Sequence, residues 1–257
     1  MIRAPACALR RALPVLLLVG ALAACAAPPG EREWDPWEGL NRKIFWFNER
    51  VDDLVLEPTA RGWVHITTAG FREGVQNFTD NLRFPVQLVN NLLQARFGDA
   101  GRCTARFVVN TTVGLLGIYD PASVWGLGPA PADFGQTLAV WGVNEGPYLV
   151  IPFLGPSDPR DATGLLADYL VEREVLPGSY FFLGAYVVGT VNWRGQNLQN
   201  IEEAREASID YYTAVRSAWL DHRRRAIGVM LPPPDEKAEA PSEQPEDPYD
   251  VDSAINP

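Results

Sequence analysis

The chain reads as mostly α, a single helical domain broken by Gly/Pro-rich loops, and three observations predict this. Apolar residues recur at helical spacing, as in Phe134, Leu138 and Trp141 at i, i+4 and i+7. Residues able to cap a helix, Asp133 and Asp158 or Asp161 among them, stand just before such runs. Glycines and prolines divide the body into helices too apolar to be surface helices and too short to be normal spans.

Taken in order, residues 1–24 form a secretory signal. Arg3, Arg10 and Arg11 precede the apolar run Ala12 to Ala21, which is shorter than the roughly 20 residues of a membrane span. The segment ends in Leu22-Ala23-Ala24-Cys25, which resembles a bacterial lipobox, so Cys25 is the expected lipid anchor and residues 25–34 a lipidated linker. An ordinary signal with an incidental cysteine is the plainer alternative. Ala26 favours sorting to the outer membrane, and several acyl chains on one cysteine exceed what stable anchoring needs. Cys7 leaves with the signal, so Cys103 is alone in the mature body and reads as a small buried hydrophobe.

The body is expected over residues 35–231. Asp35-Pro36-Trp37-Glu38 reads as a capped helix start. The helix that follows is apolar nearly all round, with Asn41 and Asn48 on a narrow polar stripe; it is either deeply buried or in contact with lipid, with Arg42, Lys43 and Trp46 suited to headgroup level. A second helix is expected over 59–77, a turn at Asn77 to Asn81, a helix from Phe84 to Gln94 interrupted by Asn90-Asn91, and another from Ala100 to Leu116. In the last, Asn110, Thr111 and Thr112 sit inside an apolar run and must find partners or line something wet.

Gly117 to Asp133 is irregular, being punctuated by Gly117, Pro121, Gly126, Gly128, Pro129 and Pro131, yet Tyr119 and Trp125 make it too apolar for a solvated loop. It is either a static cover or a hinged flap. Asp133 caps the next helix, which stops near Gly142; Tyr148 to Phe153 is extended; then a helix begins with Leu165, Leu166, Tyr169 and Leu170 on its buried side. Asp158, Arg160 and Asp161 read as a capping network including Asp168, with an acid/base pair as the competing reading. Tyr180 to Trp193 spans about 21 Å as a helix, short of the ~30 Å hydrocarbon core. Gly184 and Gly189 allow a neighbour to approach. Glu202 to Ile227 is a closing amphipathic helix with Ile209, Tyr212, Val215 and Trp219 on one face, and Arg223-Arg224-Arg225 is a solvated end or a contact for acidic headgroups.

The formal charge of −10 becomes −13 without the three signal arginines, and about −7 of it lies in the Pro-rich acidic tail 232–257, expected to be disordered. An acidic body is a poor match for nucleic acid. No metal, cofactor or catalytic motif is present: His65 and His222 stand apart, and Ser123, Ser157 and Ser179 belong to no nucleophile motif.

The run DFGQTLAVWGVNEGPYLVIPFLGPSDPRDATG (133–164) closely resembles the signature block of the MlaA/VacJ family of outer-membrane phospholipid-transport lipoproteins. DPWEGLNRKIFWFNERVD (35–52), NFTDNL (77–82) and NTTVGLLGIYDPA (110–122) follow the same family in matching order. The resemblance implies a ring-like, membrane-embedded helical body with an amphipathic channel, and no enzyme activity. It implies that misplaced outer-leaflet phospholipid passes to a soluble periplasmic carrier of an ATP-driven inner-membrane complex, with porin trimers as outer-membrane partners. On that reading the lipid path is expected at Asn41, Phe45, Asn48, Asn110, Thr111, Tyr148 and Phe153, and the gating loop at Gly117, Tyr119, Pro121, Trp125, Gly126, Gly128 and Pro131. A structural, porin-associated lipoprotein and a lipid-degrading enzyme are the alternatives.

Overall fold

The computed structural model describes residues 35–175 and 179–228. The signal segment 1–24, Cys25 with its linker to residue 34, and the acidic tail 232–257 lie outside the described residues. The described chain is mostly α: eleven α-helices, one π-helical turn and one short hairpin.

The first rod runs without a break through α1 (Glu38–Val51), a π-turn (Asp52–Leu56) and α2 (Glu57–Ile66). Pro58 explains the wide turn. It has no N–H for the carbonyl four residues back and its ring would strike that carbonyl, so the ladder widens before it, with the Glu57 N–H donating to Asp52 O. Asp35 does not cap α1, contrary to the sequence reading; the cap position is Trp37 without a side-chain bond. Instead the Asp35 carboxylate accepts from Asn41 Nδ2 (2.8 Å) and the Tyr212 hydroxyl, and lies 3.5 Å from Arg216 Nη1. A cap is a local choice, and two distant partners outcompeted it.

The expected helix over 59–77 is split at Thr67-Thr68, where Thr68 Oγ1 accepts from the Phe71 N–H and starts α3 (Ala69–Leu82). Arg72 Nη1 reaches back to the Thr67 and Val64 carbonyls and closes the end of α2. The expected turn at Asn77 to Asn81 is helix, because Asn77 and Asn81 satisfy their side chains against Ile118 O and Thr111 rather than against their own backbone. There follow α4 (Phe84–Leu93), uninterrupted at Asn90-Asn91, α5 (Phe97–Thr112), a single turn α6 (Pro121–Val124), and α7 (Phe134–Val140). Strands β1 (Leu149–Ile151) and β2 (Gly155–Ser157) pair antiparallel, Val150 opposite Pro156. Helices α8 (Pro159–Val175), α9 (Ser179–Gln196), α10 (Leu198–Ala207) and α11 (Tyr211–Gly228) complete the body. The expected closing helix is therefore two, and Ile209, at the elbow between them, is fully exposed.

α7 lies along α8, α9 crosses α2 and α3, and α4 is held between α5 and α8. The α7–α8 contact is a backbone approach: Gly164 faces the Gly135 backbone, and a methyl on either would overlap its neighbour. On α9, Gly189 accommodates Thr79, whereas Gly184 has open space beside it. Among the described residues no helix is long and apolar enough to cross a membrane.

Burial is inverted relative to a water-soluble domain. The largest fully buried side chains are mostly polar, including Asn41, Asn90, Asn91, Asn192, Thr137 and Asp158. Leu165, Leu166, Tyr169 and Leu170, expected on the buried side of α8, are instead 50%, 47%, 54% and 43% exposed, and the inner side carries Asp158, Arg160, Asp161 and Gly164. Spacing identifies which residues share a face; the medium decides which face turns outward.

Candidate functional site

The buried polar groups form three linked knots. In the first, α1 grips the hairpin with two amides two turns apart. Asn41 donates to Tyr148 O (2.9 Å) and accepts from the Val150 N–H (3.0 Å); Asn48 donates to Ile151 O (3.0 Å) and accepts from the Phe153 N–H (2.8 Å). Each amide acts as a peptide group of a missing strand, satisfying one backbone donor and one acceptor. Phe153 holds a positive φ of 64° at the hairpin tip, is 73% exposed and meets Phe47 edge-on. Beneath lies the apolar centre, Tyr148, Val150 and Tyr212, with Phe45 and Trp219 against it. The Tyr148 hydroxyl is buried without a hydrogen-bond partner among the described residues, and burial, followed by the nearby Asp35 charge, raises its pKa.

The second knot pins the 117–133 loop. Asn110, on α5, donates to Asp120 Oδ1 (2.9 Å) and accepts from the Ala122 N–H (3.1 Å). Arg106 holds Asp120 Oδ2 (2.9 Å) and the Leu127 carbonyl, and Asn91 donates to Ala130 O (3.1 Å). Burial opposes ionisation of Asp120, but hydrogen bonds from Ser123, Asn110 and Arg106 outweigh it and hold the carboxyl below the usual range. Pro121 opens the one-turn helix. Tyr119 and Trp125 are exposed, Gly117 (φ 93°) and Gly126 (φ 80°) supply left-handed turns, and in the irregular stretch before the α7 cap Gly128 precedes the buried Ala130 while Pro131 separates it from the buried Ala132. Leu115 and Leu116 also sit at φ 53° and 61°, so three consecutive left-handed residues open the loop.

The third knot joins α4, α7, α8 and α11. Asp133 caps α7 in a reciprocal box with Gln136. Asp158 Oδ1 accepts from the Asp161 N–H (2.8 Å), and Arg160 bridges Asp158 and Asp161. Arg223 then joins Asp133 (2.7 Å) to Asp161 (2.8 Å). Arg223 is thus a half-buried cross-link and not part of the solvated end expected for 223–225. Burial, then the Asp161 charge, pushes the Asp158 carboxyl up, while Arg223 overcomes burial and holds Asp133 low. Asp168 binds elsewhere, to the Phe134 N–H (3.1 Å) and Asn90 Nδ2 (2.8 Å), and burial pushes its carboxyl up to about 6.

Asn41, Asn110 and Tyr148, expected to line a lipid path, are 0%, 6% and 2% exposed, and the two asparagines spend their amides on protein; their place is to fix the hairpin and the loop. Phe45 and Asn48 are half-buried at the hairpin, Thr111 is half-buried under Asn81, and Phe153 alone of the seven is exposed. Sequence reasoning missed Asn192, which accepts from Trp63 Nε1 and donates to Arg72 O, and Arg194, which binds Asp52 and Glu57. An asparagine inside the apolar run of α9 was a usable signal for the first; nothing local marks the second. Asp52, Asp53 and Glu57 bring carboxylate oxygens within 4.8 Å of one another, but Arg194 and Arg205 neutralise them, which makes them a weak cation site. Ser157 is buried and donates to the Asp158 carbonyl, and no serine–histidine hydrogen bond exists among the described residues.

Residues 33–226 match the model of the MlaA lipoprotein family. The chain belongs to the MlaA lipoprotein family. Its relatives include an uncharacterised protein of Rickettsia felis, 36% identical over 77% of this chain and 79% of that one. The intermembrane phospholipid transport system lipoprotein MlaA of Escherichia coli is 33% identical over 86% of this chain and 89% of its own length. A chain solved for the structural basis for maintenance of bacterial outer membrane lipid asymmetry superposes with a TM-score of 0.67 at 32% identity, covering 77% of this chain and 99% of that one. The MlaA match spans all three knots, from Asp35 to Arg223.

Proposed function

We propose that this chain is an outer-membrane lipoprotein, anchored through Cys25, that passes mislocalised phospholipid from the outer leaflet to a soluble periplasmic carrier and so maintains lipid asymmetry. The observation that carries the reading is the inverted burial: asparagines and aspartates inside, leucines and aromatics outside, with no spanning helix among the described residues. Such a body is stable when hydrocarbon, not water, meets its surface. Moving a phospholipid demands the same combination. Each CH₂ withdrawn from hydrocarbon into water costs about 0.8 kcal/mol, so tails need continuous apolar cover. An unpaired buried headgroup costs roughly 2–7 kcal/mol, so the head needs polar groups along its path.

The ring-like shape with an amphipathic channel, the porin trimers and the ATP-driven inner-membrane complex belong to this proposal. The 117–133 loop is its gate. The left-handed Leu115 and Leu116 store strain that a hinge can release, while Asn110, Arg106 and Asn91 hold the loop in its present position. Chemistry on the lipid is not part of the reading. The test is mass spectrometry of lipids co-purifying with the gently extracted protein, with Cys25 acylation read from the same sample. Stoichiometric diacyl phospholipid, lost when a cysteine pair clamps the loop, supports conduction. An acylated but lipid-free protein favours a structural porin-associated lipoprotein, which the apolar exterior also suits, and lyso-lipid reopens hydrolysis.

A further inference from the structure

The body holds the tip of the 117–133 loop through one side chain. Asn110 pins the near end at Asp120 and Ala122, and Asn91 pins the far end at Ala130. Between these anchors the backbone bonds of residues 123–129 are local, as from the Trp125 N–H to Pro121 O and from the Leu127 N–H to Ala122 O. Among the described residues, Arg106 alone reaches this stretch from outside the loop: its Nη1 donates to Ser123 Oγ (2.9 Å) and to the Leu127 carbonyl. Its other prong, Nη2, holds Asp120 Oδ2 at 2.9 Å. One guanidinium is thus divided among three groups of the loop instead of lying flat on one carboxylate. Arg106 and Asp120 are half-buried, the bond to Ser123 is exposed, and the surface around them is apolar, with Val108, Tyr119, Val124 and Trp125 all exposed.

A guanidinium in such a place suits a phosphate. The fork meets two phosphate oxygens through parallel N–H···O bonds, and the phosphate is charged where the Ser123 hydroxyl and the Leu127 carbonyl are neutral. Asp120 is not stranded by the exchange, since Asn110 Nδ2 and the N–H and hydroxyl of Ser123 also bond it. Ser123 is exposed and Leu127 half-buried, so water can take both once the tip lifts. We propose that Arg106 is a phosphate-operated latch: a phosphate group takes the guanidinium from Ser123 and Leu127 and frees residues 123–129, while the Asp120 and Ala130 ends stay pinned. The phosphate expected there belongs to a phospholipid headgroup, because the exposed apolar side chains around Arg106 suit acyl chains and offer nothing to a free ion. Gly126, already left-handed at φ 80°, gives the freed tip a pivot. The latch rests on the conduit reading and adds to it what opens the gate. A lipid without a phosphate leaves the tip fastened.

The experiment uses the full-length lipidated protein in mild detergent, with Val124→Cys, a position 84% exposed, as the labelling site; Cys103 is buried. A polarity-sensitive dye on that thiol follows the tip during titration with a short-chain diacyl phospholipid, the matching diacylglycerol, or inorganic phosphate. Phospholipid is expected to shift the emission saturably and diacylglycerol to leave it unchanged. Arg106→Gln is expected to show the shifted emission without lipid and to lose the response, and Arg106→Lys, which keeps the charge without the fork, to regain part of it. Ser123→Ala weakens the latch from the loop side and is expected to lower the phospholipid midpoint about two- to ten-fold, the worth of one hydrogen bond, at an unchanged melting temperature. A response to inorganic phosphate at equal concentration keeps the latch and makes free phosphate its ligand. Equal responses to diacylglycerol and phospholipid, or an unchanged midpoint in Ser123→Ala, overturn the latch and leave the conduit standing. A wild type that co-purifies with no phospholipid and answers none of the three ligands overturns both.

Discussion

At the scale of single residues, the amides of Asn41 and Asn48 do what a third strand would do for the hairpin. Replacing Asn41 by Ala strands the Tyr148 carbonyl and the Val150 N–H in a fully buried place, and is expected to cost about 2–4 kcal/mol. Thermal unfolding in detergent should show it as a fall of roughly 5–15 °C for a body of this size; a loss under 2 °C would mean that water replaces the amide. Asp168 gives a pH signature. Its folded carboxyl titrates at about 6 against 3.8, so its contribution to stability is fully present below pH 3.8 and is lost as the pH rises through about 6. Asp158 acts in the same direction, whereas Asp120 and Asp133, held low, weaken the fold only in acid. The melting temperature is therefore expected to fall between about pH 4 and pH 6, less steeply in Asp168→Asn.

At the scale of elements, helices were legible where spacing and caps are local. The α7 cap at Asp133 and the start of α8 at Asp158 follow from side chains bonding their own backbone within three residues, and the stop near Gly142 from a left-handed glycine (φ 88°). What was not legible is whether a polar residue serves its own helix or a distant one. Asn77, Asn81, Asn90 and Asn91 read as turn formers or breakers, yet each continues a helix, because Ile118 O, Thr111, Asp168 and Ala130 O take its side chain. The orientation of α8 makes a test that a soluble domain would fail. Leu166→Lys with Leu170→Lys is expected to leave the melting temperature in detergent nearly unchanged, as for ordinary surface sites. It should weaken retention on vesicles in flotation. Asn90→Leu, which takes one buried hydrogen bond from the Asp168 carboxylate and one from the Thr137 hydroxyl, is expected to be the destabilising change. The reverse ranking would place the leucines in a core.

At the scale of the molecule, elements far apart in sequence are closed on one another by a few arginines. Arg194 and Arg205 tie α9 and α10 to the first rod, and Arg223 ties α11 to the α7 cap and to α8. Removing one partner of such a knot leaves buried carboxylates uncompensated, so Arg223→Met is expected to cost about 3–5 kcal/mol. It should also release α11 to limited proteolysis near Tyr211 before the remaining helices open. Cleavage at the wild-type rate would show that the apolar contacts of Tyr212 and Trp219 suffice.

By itself the sequence determined which residues share a helix face, where α7 and α8 begin, that the apolar run Tyr180 to Trp193 is too short to span a bilayer, and, through its blocks, the family. Those are properties of neighbours along the chain, set by a 3.6-residue period and by caps that reach three residues. Only the tertiary structure decided which face of α8 turns outward, that Asn41, Asn110 and Tyr148 are inside, and that Arg223 is a cross-link. Each depends on a partner ten or more residues away or on the medium outside, and the periodicity of a helix is the same whether water or hydrocarbon surrounds it.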